Sequence, residues 1–162
     1  MGKTNWVVKC ACIDDAERWF NFASIVQSDF YNIDLAHDEN FRTGMINNMK
    51  RGTAIYIQDS SKHNFPIIGA MTYSRNKNHI SWLAVHPDYR RNGVASFLVK
   101  HMLNELKNAQ EIRVKTFLYD DEYGIAARSF YKKHGFVAKD ILMNEQEYPH
   151  PVQVFVKTLS NI

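Results

Sequence analysis

The chain has 162 residues, 45% of them hydrophobic and 13% aromatic, with a formal net charge of +3. That length and apolar content suit one packed globule and exclude an extended disordered chain. The charge is too small to argue for a nucleic-acid binder, and the sequence has neither a leader pattern nor an apolar run of membrane-spanning length, so the expected location is the cytoplasm.

Trp6 to Cys12 reads as a first strand with Trp6, Val8, Cys10 and Cys12 on one face. The two cysteines stand too close along a strand to bridge each other comfortably. They read as buried structural thiols in a reducing compartment, with no Cys/His cluster to hold a metal. Asp14 and Asp15 start a helix carried by Ala16, Phe20, Ala23, Val26 and Phe30. A second helix follows Asp38 on Phe41, Met45 and Met49, and Gly52 ends it as a left-handed cap. Thr53 to Gln58 is a β-branched and aromatic strand, and Asp59 to Phe65 is a polar turn.

Ile67 to Tyr73 and His79 to Val85 form a hairpin about Arg75-Asn76-Lys77-Asn78. Pro87 stops that strand. Val94 to Lys107 is a helix with an apolar stripe of Ala95, Leu98, Val99, Met102 and Leu106. Ile112 to Leu118 is a strand, and Ile125 to His134 a short helix capped by Gly135. Phe136 to Met143 and Val152 to Leu159 are the last two strands. The order mixes hairpins with a strand–helix–strand crossover, so the class is α+β with a mixed sheet. No repeat or linker interrupts it, and residues 1–162 read as one domain.

One junction carries chemistry. Between the strand ending at Val85 and the helix starting at Val94 lies His86-Pro87-Asp88-Tyr89-Arg90-Arg91-Asn92-Gly93. A tight turn into a helix aims main-chain N–H groups at one point, where the helix dipole adds positive potential. A phosphate or diphosphate suits such a point. Gly93 gives the turn its freedom, Ala95 keeps the first helical turn thin, and Arg90 and Arg91 add charge.

The pattern Arg-x-x-Gly-x-Ala at Arg90, Gly93 and Ala95, within Leu83 to Ala95, resembles the acyl-CoA diphosphate loop of the GNAT superfamily of N-acetyltransferases. Ala127-Arg128-Ser129-Phe130-Tyr131-Lys132-Lys133-His134-Gly135-Phe136 resembles the later family signature Ala-x-x-Phe-Tyr-x-x-x-Gly-Phe. The resemblance implies a GNAT fold: a mostly antiparallel twisted sheet of about six or seven strands, flanked by about four helices and splayed at the acyl-CoA site. It implies that Arg90, Arg91, Asn92, Gly93, Val94, Ala95 and Ser96 grip acetyl-CoA. It also implies that a bulge precedes the loop, that the Leu83 amide polarises the thioester carbonyl, and that Val85 pairs with the pantetheine arm. Tyr131 then matches the family's general acid for the departing thiolate. Ala127 and Phe130 are expected to face the sheet. Gly124 departs from the family, which often has Asn there.

The base is the weak side of the pattern. Many relatives carry a Glu on the strand before the loop, where this chain has Ile80-Ser81-Trp82. His79, Asp29, Asp38 and Glu39 are alternatives, each equally readable as a turn, cap or surface residue. Phe30, Tyr31, Tyr56, Tyr73 and Trp82 suit either an acceptor pocket or the core. The acidic loop Tyr119 to Tyr123 suits either attraction of a cationic amine or helix capping. The expected function is acetyl transfer from acetyl-CoA to a primary amine, with no metal and a homodimer as one possible assembly. The alternatives are an acyl-CoA-sensing module without turnover and a tRNA-directed acetyltransferase.

Overall fold

A computed structural model describes residues 6–143 and 150–159. Seven strands and four α-helices follow one another as β1 (Lys9–Cys10), α1 (Ala16–Val26), α2 (Glu39–Arg51), β2 (Ala54–Gln58), β3 (Ile67–Ser74), β4 (His79–Val85), α3 (Val94–Glu105), β5 (Glu111–Phe117), α4 (Ile125–Lys133), β6 (Val137–Leu142) and β7 (Val152–Thr158). This is the expected element order, and the class is α+β. The strands make one mixed sheet in the order β1-β2-β3-β4-β5-β7-β6. None of the described helices is long and apolar enough to cross a membrane.

The first strand corrects the sequence reading. Only Lys9 and Cys10 pair with β2, and Cys10 and Cys12 are exposed free thiols, not buried ones. Ala11 is the residue that enters the core. The reason is local: the Cys12 N–H donates to the Asp15 carboxylate at 3.0 Å, which turns the chain into a 3-10 segment before α1 and ends the ladder.

Contacts cluster into two compact units, Met1–Tyr73 with Trp82–Glu105 and Ser74–Ser81 with Leu106–Ile162. In the first, α1 buries Phe20, Ala23 and Val26 as its spacing predicts, together with Trp19 and Phe22, while Ala16 and Phe30, expected in the same stripe, are half-buried and Phe30 lies beyond the helix end. A helix of this length depends on that stripe, because isolated short helices are marginal in water. The Asp38 carboxylate accepts the Phe41 N–H at 2.8 Å to start α2, and Gly52 ends it at φ 75, as expected. Trp82 centres an aromatic cluster with Phe41 at 5.3 Å, Phe30 at 5.8 Å, Trp19 at 6.0 Å and Phe22 at 6.1 Å. Burial of each such side chain contributes about 1.5–3 kcal/mol. Trp82 and Tyr73 are therefore core residues; the Tyr73 hydroxyl is held by Glu105 at 2.5 Å. The α3 stripe uses Val94, Leu98, Val99 and Met102, with Ala95 only half-buried.

In the second unit β5 pairs antiparallel with β7 along its whole length, Glu111↔Thr158 to Phe117↔Val152. The start of β4 pairs parallel with β5 at His79↔Arg113 and Ile80↔Val114. Helix α4 ends where Gly135 takes φ 85, and Lys157 donates to the His134 carbonyl at 2.7 Å, satisfying a helix-end acceptor.

Strand β4 carries an irregularity that its own hydrogen bonds reveal. The Asn78 carbonyl accepts from Arg113 of β5, so the N–H of His79, across the same peptide plane, points to the opposite edge. The His86 N–H donates to Ile68, next to the start of β3, so it also points to the β3 edge. Successive N–H groups alternate between edges, and residues 79 and 86 differ by an odd number. A regular strand cannot satisfy both bonds. One extra residue, a β-bulge, lies between them.

Candidate active site

The corner between β4 and α3 is built by short-range bonds. Pro87 ends the strand, and Pro87–Tyr89 forms a 3-10 turn in which the His86 ring accepts the Asp88 N–H at 3.1 Å. The Tyr89 N–H closes on the His86 carbonyl at 2.9 Å. Arg91 at φ 65 and Gly93 at φ 84 are left-handed, with Asn92 between them. The Asn92 amide clamps the turn by donating to the carbonyls of Tyr89 (3.1 Å) and Arg90 (3.0 Å). Left-handed residues beside right-handed ones make an anion-binding concavity of main-chain N–H groups. The helix ladder of α3 opens with the Phe97 N–H donating to Gly93 at 3.0 Å. In any α-helix the first-turn amides have no carbonyl of the same helix to meet.

The space in front of this corner fits an anionic group. A Cβ built on Gly93 would meet nothing within 4 Å, so the glycine is required by its φ, and the approach to the loop is open. Arg91, Asn92 and Gly93 are exposed, Ala95 and Ser96 half-buried, and Val94 turns its side chain into the core. Among the loop residues predicted to grip the coenzyme, the Arg90 guanidinium is already engaged in an ion pair with Asp29. Leu83 and Val85 are half-buried, alternating with buried Trp82 and Ala84. Because the His86 N–H points to β3, the Val85 carbonyl across the same peptide plane points to the other edge of β4.

Two supports were not read from the sequence. Gly69 in β3 lies under α3, and a Cβ there would come within 2.3 Å of Val94 Cγ1 and 3.3 Å of Leu98 Cδ1. That glycine lets the helix start settle on the sheet; a lone Gly inside an apolar strand was the available signal. Tyr89 is the other. Its hydroxyl donates to Asp59 at 2.5 Å, and the Lys62 ammonium lies 5.3 Å from its ring. Asp59 also accepts from the Ser61 N–H and hydroxyl. The polar turn after β2 thus holds the 3-10 turn ahead of Arg90.

Tyr131 sits on α4, in the second unit, with its ring among Phe136 at 5.4 Å and Phe155 at 6.3 Å. It is the buried residue of the helix, whereas Ala127 and Phe130, expected to face the sheet, are only half-buried. Burial pushes its phenol well above the ordinary value, so it holds its proton at neutral pH. Gly124 has a steric reason: a Cβ there would come within 2.4 Å of Phe117 Cβ. An Asn has no room at this position.

The carboxylates divide clearly. Asp38 is spent on capping and Glu39 is exposed, as is Ser81, which carries a hydroxyl instead. In the acidic loop Asp121 caps a 3-10 turn by accepting the Tyr123 N–H at 3.0 Å. Asp29 is half-buried; burial raises its carboxyl and Arg90 opposes that. No group of three His, Cys, Asp or Glu that could hold a metal occurs among the described residues.

Comparisons with known proteins bear on the family and the fold. A family model described as an acetyltransferase (GNAT) domain matches residues 54–138, just over half of the chain, and spans both motifs. No curated protein matches the chain. Among solved structures, a GNAT-family acetyltransferase from Bacillus cereus is 25% identical, with a TM-score of 0.67 over 98% of this chain and 100% of that one. Ard1 from Thermoplasma volcanium has a TM-score of 0.73 at 20% identity, over 98% and 100%. The PaiA N-acetyltransferase from Thermoplasma acidophilum, solved with coenzyme A, has a TM-score of 0.67 at 15% identity, over 96% and 99%. At identities of 20% and 15%, these last two speak for the fold alone. The left-handed turn before α3, the bulged strand leading into it and the family match together place the chain in the GNAT acetyltransferase family.

Proposed function

We propose that the protein moves an acetyl group from acetyl-CoA to a primary amine by direct transfer, with residues 1–162 as one catalytic domain. The observation that carries this reading is the open, left-handed turn at Arg91 and Gly93 facing the start of α3. Main-chain N–H groups of residues 92–96 hold the diphosphate, and Arg91 supplies charge beside them. The Val85 main chain, on the edge of β4 away from β3, pairs with the pantetheine amides. The bulge supports a turned-out Leu83 N–H as the donor to the thioester carbonyl, where negative charge develops during attack. The neutral amine then forms its bond to the carbonyl carbon and releases its surplus proton to solvent water as the carbon–sulfur bond breaks. Tyr131, kept protonated by burial, gives its proton to the departing sulfur. The free thiols at Cys10 and Cys12 suit a reducing compartment.

Calorimetric titration with coenzyme A tests the site, and thiol release from acetyl-CoA across an amine panel tests the reaction. Binding with release by at least one amine is the expected result. Binding without release by any amine would leave a coenzyme-holding module. No binding at all would remove the reading.

A further inference from the structure

A cleft of about 540 Å³ lies between α1 and the start of α2, within the first unit, and shares no residue with the corner before α3. Its volume is in the usual range for small-ligand sites. Phe20 and Ala36, both buried, form its apolar base. Asp14, Glu17 and Asn21 line it from α1 and the 3-10 segment before that helix, and His37 and Arg42 line it from the chain leading into α2. Arg42 is held in place without a counter-ion. Its guanidinium carbon lies 4.0 Å from the centre of the Phe20 ring, and Nη1 donates to the Ala36 carbonyl at 2.6 Å. Among the described residues no carboxylate pairs with it. His37 is already engaged by Asp34 at 2.9 Å, so Arg42 is the cation this lining has to offer. Asp14 and Glu17 are exposed, and their carboxylates likewise have no partner among the described residues.

The opposite charges of the cleft are spaced, not paired. Glu17 stands three residues before Phe20, the ring that carries Arg42, and Cβ atoms so placed on a helix are about 5–6 Å apart. The cleft therefore offers carboxylates and a guanidinium roughly one helical turn apart, each without a partner. A guanidinium fixed by an aromatic face and a carbonyl loses little freedom on binding a carboxylate. A single α-amino acid carries its ammonium and carboxylate on one carbon and is too short to meet both walls. Two residues of extended chain span about 7 Å. We propose that this cleft is a second binding site, for the zwitterion of a dipeptide, with the carboxylate on the open edge of Arg42 and the ammonium beside Asp14 and Glu17. The site does not require acetyl transfer or the coenzyme, so the two readings fail independently.

Titration with alanylalanine in the absence of acetyl-CoA, followed through the protein's amide resonances, tests the site. The amides of Asn21, His37 and Arg42 are expected to move together. Alanine, N-acetyl-alanylalanine and alanylalanine amide are each expected to bind about three- to tenfold more weakly, since each fails to satisfy one wall. Arg42→Gln is expected to weaken alanylalanine by the same factor and to bind the dipeptide and its amide alike. The double variant Asp14→Asn with Glu17→Gln is expected to bind the dipeptide and its acetylated form alike. Movement confined to residues outside the cleft, or none at about 10 mM dipeptide, overturns the site. Equal affinity for alanine overturns the spacing argument and with it the dipeptide. Should the variants fail to fold, the blocked peptides on the wild type decide the matter: indifference to either block overturns the assignment of charges, and loss with both supports it.

Discussion

Strand β4 passes to α3 through the 3-10 turn Pro87–Tyr89, and β5 passes to α4 through the 3-10 turn Glu122–Gly124. Each turn is capped by the side chain just before it, His86 in one and Asp121 in the other. From there they part. Ahead of α3 stand Arg90, Arg91 and a glycine whose missing Cβ would point into open space. Ahead of α4 stand Asp120, Asp121, Glu122 and a glycine pressed against Phe117. Both helix starts carry the same dipole. The first has two arginines in its approach and room in front of it; the second has carboxylates there and a packed glycine. A helix start becomes an anion site through its approach and its neighbours, not through its dipole alone.

Substitutions can break this contrast in order of expected effect. Gly69→Val pushes a branched side chain into Val94 and Leu98 and is expected to cost about 3 kcal/mol in urea unfolding. An unchanged midpoint would mean α3 does not rest on that glycine. Gly93→Glu places a carboxylate before the loop and is expected to weaken coenzyme A about 100-fold, near 2.7 kcal/mol, by calorimetry. Tyr131→Phe is expected to lower kcat by about 100-fold with coenzyme affinity unchanged, since it removes a proton and no contact to the diphosphate. Equal rates would end its role as the acid.

The paired Asn substitutions sharpen the contrast itself. Gly124→Asn is expected to destabilise by about 2 kcal/mol, because the Phe117 ring must move. Gly93→Asn, in open space and at an angle Asn tolerates, is expected to cost less than about 1 kcal/mol. Costs in the reverse order would refute the division between a packed junction and an open one.

The smallest effect is electrostatic. Hydrogen bonds from Ser61 and Tyr89 hold the Asp59 carboxyl below its ordinary value of 3.8. A carboxyl lowered in the fold binds fewer protons there than in the unfolded chain, so its stabilisation is present above about pH 3.8 and is lost as pH falls through the folded value. Asp59→Asn is expected to flatten that part of the acid limb in urea unfolding across acid pH; an unaltered limb would refute the link.

Much of this molecule was legible in its pattern. The spacing in α1, α2 and α3 placed part of each buried face, and the β3–β4 hairpin emerged within one residue of its expected bounds. The corner between β4 and α3 was readable because Pro87, Arg91, Asn92 and Gly93 act locally, through backbone angles and bonds a few residues apart. What resisted reading depends on distant partners. The clash under Gly69 depends on Val94, the fit of Gly124 on Phe117, and the fate of Arg90 on Asp29, none of them sequence neighbours. The cysteines misled because alternation along residues 6–12 looks like a strand until Asp15 bends the chain away.

The aromatic knot around Trp82 also gives the protein an optical gauge. Trp19 and Trp82 lie 6.0 Å apart in apolar surroundings, and neither indole N–H has a hydrogen-bond acceptor. Their fluorescence is therefore expected toward the blue, and excitation passes readily between them. Phe30 touches Trp82 and directly follows Asp29, so a shift of that turn alters the emission. Movement of that turn can be timed in a stopped-flow cuvette without attaching a dye.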